Sequence, residues 1–197
     1  MADARVKDIT SQVRLNLQQV GVENIQDGEI YRVAKRVVRD LLKELKPLEI
    51  SFDITLVASQ ESYDISDEAS LDIKALIPSW DERLEFVDNI KYLEITTTGN
   101  TYPVYCTIFS RKMYFRPIPS ANDDIVTVWA YQTEPKVDID EDTPPETPEY
   151  LDEAVILGIC SKFSRKEFLE EYEIEKNRWK GLVHKKHNQP KVRRNTW

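Results

Sequence analysis

The apolar residues of this chain change their period twice. Up to Leu45 they recur every three or four positions, from Ile50 to Tyr131 largely every second position, and after Pro148 every three or four again. The first spacing draws one stripe along a helix, and the second draws one face along a strand. Helices near both ends with a single sheet region between them are therefore expected, not a repeated strand-helix alternation. The predicted fold class is α+β: a helical bundle from the N- and C-terminal helices, an inserted small antiparallel sheet or sandwich, and an extended C-terminal arm.

Within the first helical segment Val6, Ile9, Val13, Leu17 and Val20 share one stripe, Asp3 is placed to cap it, and Gly21 ends it. A second helix is predicted over 28–46 with Asp27 as N-cap, a stripe from Ile30 to Leu45, and Pro47 as stop. The short connection suggests an antiparallel pair. Alternation in "ISFDI", "LDIKALI", "VYCTIF", "KMYFR" and "DIVTVWAY" reads as strands, with Ser110 and Arg111 turning one hairpin and "PIPSAND" joining Lys112–Arg116 to the next strand. "RLEFVDNIKYLEIT" fits either a hairpin turning at Asp88 and Asn89 or one helical turn, and strands are the preferred reading. "VDIDEDTPPETPEY" reads as a surface linker with Asp138, Asp140, Glu141, Asp142, Glu146 and Glu149 and three prolines. Thr147 is the expected N-cap of the late helix, with Pro148 at its first position. That helix is predicted to break near Ser164 and to end near Gly181. The segmentation that follows is 1–48 for the N-terminal helices, 49–137 for the β-insertion, 138–182 for the linker and late helix, and 183–197 for a basic arm.

Charge separates the same regions. The chain carries a net −8, but Lys176 to Trp197 holds eight basic residues and no acidic one, leaving 19 basic against 35 acidic residues, −16, on the remainder. A basic tail on an acidic body fits docking to a protein partner, solvated disorder, or phosphate neutralisation on a nucleic acid. Cys106 and Cys160 are too few for a disulfide framework or a structural zinc site, and are expected as buried thiols. No apolar run approaches the roughly 20 residues that span a bilayer, so no membrane association is expected. The charged start "MADARVKDITSQ" does not read as a secretory leader.

Catalytic signatures are missing from the sequence. It contains no G-x-S-x-G elbow, P-loop, H-E-x-x-H helix or G-x-G-x-x-G turn. A carboxylate pair for hydrolysis needs two groups at a fixed separation with unequal proton affinities, whereas the densest acidic run, Asp138 to Asp142, lies in the linker. His184 and His187 lie three apart, but no Asp, Glu or Cys follows Glu175 to complete a metal site. Tyr102, Tyr105, Phe109, Tyr114, Phe115, Trp129 and Tyr131 fit a sheet core and its rim better than a ligand face. Trp80 fits either an exposed contact or a cap over the sheet. No enzyme activity and no cofactor are expected.

The order of segments carries a resemblance. A helix pair, an insertion opening with "TLVASQESYDI", the run "TGNTYPVYCTIFSRKMYFRPIPSANDDIVTVWAYQTEP" and then "DEDTPPETPEYLDEAVILGICSKF" are similar to the head-to-tail adaptor (head completion or connector) proteins of tailed bacteriophages, over most of residues 25–165. The resemblance implies a structural protein of the virion neck, made in the host cytoplasm. It implies a ring, commonly of twelve copies, between the portal protein and a tail or stopper protein, through which genome DNA passes without specific binding. It also implies a C-terminal arm docking on the portal. By position and charge that arm is assigned here to Trp179, Lys185, Lys186, Lys191, Arg193, Arg194 and Trp197. The alternative is an accessory protein binding nucleic acid through the same tail.

Overall fold

The structure, a computed structural model, describes residues 3–65, 71–81, 83–96 and 102–187, the last four as backbone. The chain divides into two units: the described parts of Met1–Leu48 and Thr133–Trp197 form one, and those of Glu49–Gln132 form the other. The second unit is an insertion whose two ends lie side by side, because Glu49 and Tyr131 are paired partners on neighbouring strands.

The first unit is helical. In α1 (Ala4–Gln19) the Asp3 carboxylate accepts from the backbone N–H groups of Arg5 at 2.9 Å and Val6 at 3.2 Å, as the sequence predicts. Gly21, at φ +78°, lets the Val22 N–H turn back to the Leu17 carbonyl and close the helix. Helix α2 (Asp27–Leu45) corrects the expected cap by one residue. Gln26 holds the N-cap position without a side-chain bond, and Asp27 already lies in the first turn. Its carboxylate is drawn off by Arg14, 2.5 Å away, so it pins the α1–α2 connection instead of capping.

The late helix begins differently from its sequence signal. Pro148 is the cap of a short 3₁₀ turn, Glu149–Leu151, which leads into α4 (Asp152–Phe163). Thr147 is buried, and its hydroxyl accepts from Arg5 instead of capping the helix. The predicted break falls at Ser164, after which α5 runs from Arg165 to His187. Every residue from Ala154 to Ser161 is buried, the signature of a helix enclosed on all sides. Helices α1, α2 and α5 all pack against α4, so α4 organises the bundle instead of a self-contained α1–α2 pair. The core joins Val13, Leu17, Val37, Leu41, Leu42, Leu45, Val155 and Ile159.

The insertion is a two-sheet sandwich. One sheet has the antiparallel order β1 (Glu49–Thr55), β7 (Ile125–Gln132), β3 (Leu71–Pro78). The other runs β2 (Ser62–Asp64), β6 (Lys112–Arg116), β5 (Tyr105–Phe109), β4 (Glu85–Phe86), with β4 parallel to β5. Ile54, Val126 and Val128 meet Tyr63, Cys106, Met113 and Phe115 in one core. The β5–β6 hairpin turns at Ser110 and Arg111, both at positive φ, as a two-residue turn with right-handed twist requires. The next connection leaves the sheet: Lys112–Arg116 and Ile125–Gln132 belong to different sheets, and the Pro-rich stretch between them carries the chain across the sandwich. The preferred reading of "RLEFVDNIKYLEIT" as strands is also corrected. Only Glu85–Phe86 is strand; Asp88 accepts from the N–H groups of Ile90 and Lys91 and starts helix α3 (Asn89–Glu94). Tyr92 anchors α3 with its ring edge on Tyr114, while Asn89 accepts from the buried Thr107 hydroxyl on β5.

Candidate interaction surfaces

Trp179 is the first residue of the expected docking arm, and the structure packs it, half-buried, against the bundle core. It lies on α5, on the stripe that also carries Phe168, Tyr172 and Val183. Its indole N–H donates to Glu175 at 2.6 Å, and its ring sits 4.7 Å from that of Tyr150. Lys185 and Lys186 continue the same helix, which runs past Gly181 to His187 and so corrects the expectation of an extended chain from residue 183. Lys191, Arg193, Arg194 and Trp197 lie outside the described residues.

Three of the eight basic residues are already engaged. Lys176 pairs with Glu44 on α2 at 3.0 Å and with Glu173 at 2.9 Å, Lys180 reaches Glu44 at 3.3 Å, and Arg178 reaches Glu175 at 3.4 Å. Burial works against the charged form of Glu44, but the hydrogen bonds and charges of Lys176 and Lys180 outweigh it and hold its carboxyl below the ordinary value. The start of the basic run thus clamps α5 to α2. The clamp was hidden in the sequence because its acceptor lies far back in the chain.

The acidic stretch before α4 is pinned at several points. Ile139, Pro145 and Thr147 are buried, Lys35 pairs with Asp138, and Glu146 accepts from the Lys136 N–H at 2.7 Å. Asp140 folds an Asx turn by accepting from the N–H groups of Asp142 and Thr143, and these bonds lower its pKa. Arg5 closes the segment. It bonds both oxygens of Asp152 and donates to the carbonyls of Pro145 at 3.0 Å and Thr147 at 2.8 Å. One guanidinium therefore ties α1, the linker and the start of α4 together, a planar multi-acceptor role that suits Arg alone. Only the position of Arg5 beside the capping Asp3 could have hinted at it.

On the sandwich the predicted aromatic residues separate by face. Phe115 is fully buried with Tyr63 edge-on to it, and Tyr102 stacks on Trp80 at 5.5 Å. Trp129 and Tyr131 alternate with buried Val128 and Ala130 and lie on the outer face of the three-stranded sheet. There Lys74, at a register shift in β3, lies over the Tyr131 ring and pairs with Glu49 of β1 at 2.5 Å. Both thiols are buried: Cys106 is pushed up to about 12 and Cys160 up to about 11 by desolvation, which leaves neither reactive at neutral pH.

Among the described residues, the most exposed large apolar side chains form a ridge that the sequence reading missed. Ile90 and Leu93, one turn apart on α3, are 73% and 74% exposed, and Phe86 beside them is 44% exposed. Tyr92 takes the inward face of the same helix. The signal was Asp88 as a cap followed by apolar residues three apart, but six residues are too few to show a helical period.

The described residues thus form a helical bundle with an inserted sandwich, with both thiols buried. The chain belongs to the SU10 adaptor protein family, which it matches over residues 4–185, across both units. This agrees with the resemblance to bacteriophage adaptor proteins. No curated protein matches the chain.

Proposed function

We propose that the protein is a head-to-tail adaptor of a tailed phage, a ring of copies seated between the portal and a tail component. The observation that carries this reading is the family match from residue 4 to residue 185, which takes in the bundle and the sandwich as one architecture. In this reading about twelve copies close by rotation, each using two different faces. The bundles form the ring, the sandwich faces the tail, and the C-terminal segment, with Lys185, Lys186, Lys191, Arg193, Arg194 and Trp197, docks on the portal. Trp179 supports it by fixing α5 to the bundle. The acidic body repels phosphate and lets DNA slide through the lumen. No bond is made or broken by the protein.

The test is co-purification of the portal with the full chain and with a chain ending at His187. Loss of portal binding on truncation, with the bundle still folded, supports the assignment. Binding that survives truncation removes the arm from it. A nucleic-acid role is weakened by the engagement of Lys176, Arg178 and Lys180 with carboxylates, and salt-sensitive binding of DNA by the isolated protein would restore it.

A further inference from the structure

The described glycines differ in what requires them. Gly21 lies at positive φ, Gly158 lies where a Cβ would meet Val37 and Tyr172, and Gly28 falls in the first turn of α2. None of these reasons applies to Gly181. It lies inside α5, six residues before the helix ends at His187; it is exposed, is not at positive φ, and an added Cβ would meet nothing within 4 Å. Alanine fits there and favours the helix, so the glycine weakens α5 at a point where packing does not demand it. That point is also a boundary. Lys176 and Lys180 pair with Glu44 on α2, and Trp179 lies against Tyr150, so α5 is tied to the bundle up to the residue before the glycine. Past it Leu182 is 47% exposed, and among the described side chains only Val183 is buried.

We infer that Gly181 is a hinge: residues 182–187 are helical in the free chain and unwind when the basic segment engages an acidic protein surface, while α5 up to Lys180 stays clamped. This rests on the docking reading and adds its conformational step. The Glu44 clamp gives the hinge a fixed side, and the glycine keeps the helical form of the other side close in free energy to an extended one. Lys185 and Lys186 fall in the last turn, where positive charge favours the helical form. Both belong to the proposed docking segment, so acidic groups that pair with them withdraw that support. Unwinding six residues, from a rise of 1.5 Å each to about 3.3 Å, carries the segment beyond them roughly 11 Å further from the clamp.

The experiment measures portal affinity and amide hydrogen exchange for three full chains: unmodified, Gly181→Ala, and Gly181→Ala with Leu182→Gly, which moves the glycine one residue along. Gly181→Ala should slow exchange at the amides of 182–187 and weaken portal binding, each about fivefold, the ratio that separates alanine from glycine in a helix. Adding Leu182→Gly should return both to the unmodified values. A glycine that served only the fold would leave portal binding unmoved. The inference is overturned when Gly181→Ala binds the portal as tightly as the unmodified chain, when exchange at 182–187 does not slow, or when Leu182→Gly fails to restore both. An unmodified chain that does not bind the portal removes the docking reading itself, and the exchange rates then decide whether the hinge opens in the free chain.

Discussion

Gly158 on α4 lies so close to Val37 on α2 that a Cβ added to the glycine would sit 2.5 Å from Val37 Cγ1, and 2.9 Å from Tyr172 Cε2 on α5. The three helices cross where one of them has no side chain. Gly158→Ala is therefore expected to destabilise the bundle by about 1–3 kcal/mol through overpacking, despite the gain of roughly 1 kcal/mol in helix propensity. Thermal unfolding reads the loss. Adding Val37→Ala should recover part of it, as coupled neighbours do, and a stabilising Gly158→Ala would contradict the packing.

Arg5 is expected to behave as a clasp. Arg5→Ala leaves Asp152 and two linker carbonyls short of a donor and should cost about 2 kcal/mol, in the range for hydrogen bonds to charged groups. Arg5→Lys should recover only part, because an ammonium cannot meet a carboxylate and two carbonyls in one plane. Denaturant midpoints of the three proteins order the result: wild type, then Lys, then Ala.

The two thiols report on separate cores, Cys160 in the bundle and Cys106 in the sandwich. Both should resist maleimide in native buffer, since burial raises their pKa values. As denaturant rises, each should be labelled when its own unit opens. Peptide-resolved mass spectrometry distinguishes the two curves, and rapid native labelling of either thiol would contradict its burial.

Acid should loosen the α2–α5 clamp. The folded pKa of Glu44 is depressed, so its contribution is present above the unfolded carboxyl value and is lost as pH falls through the folded one. The raised pKa of Lys176, whose bonds to Glu173 and Glu44 overcome desolvation, acts at the opposite limit, with stability lost as pH rises through the folded value. The clamp is partly exposed and screened, so Glu44→Gln should remove no more than about 1 kcal/mol at neutral pH. It should also flatten the acid limb of the stability curve.

The sequence announced what depends on neighbours along the chain. The change of period at Ile50, the Asp3 cap, the break at Ser164 and the Ser110–Arg111 turn are all local, and all stand in the structure. What it concealed depends on distant partners. Lys176 looked like the start of a loose basic tail until Glu44 met it, and Thr147 looked like a cap until Arg5 claimed its hydroxyl. The two alternating strands joined by "PIPSAND" lie in different sheets, which the sequence did not show because alternation specifies a face but not a neighbour. The interaction surface was least readable. Ile90 and Leu93 are ordinary residues in sequence, and only the position of Tyr92 beneath them shows which side of α3 is left bare.

The most direct measurement is the morphology of phage particles assembled without this protein, viewed by electron microscopy. The account predicts DNA-filled heads and free tails that do not join, with joining restored by adding the purified chain. Complete, infectious particles formed in its absence would contradict it.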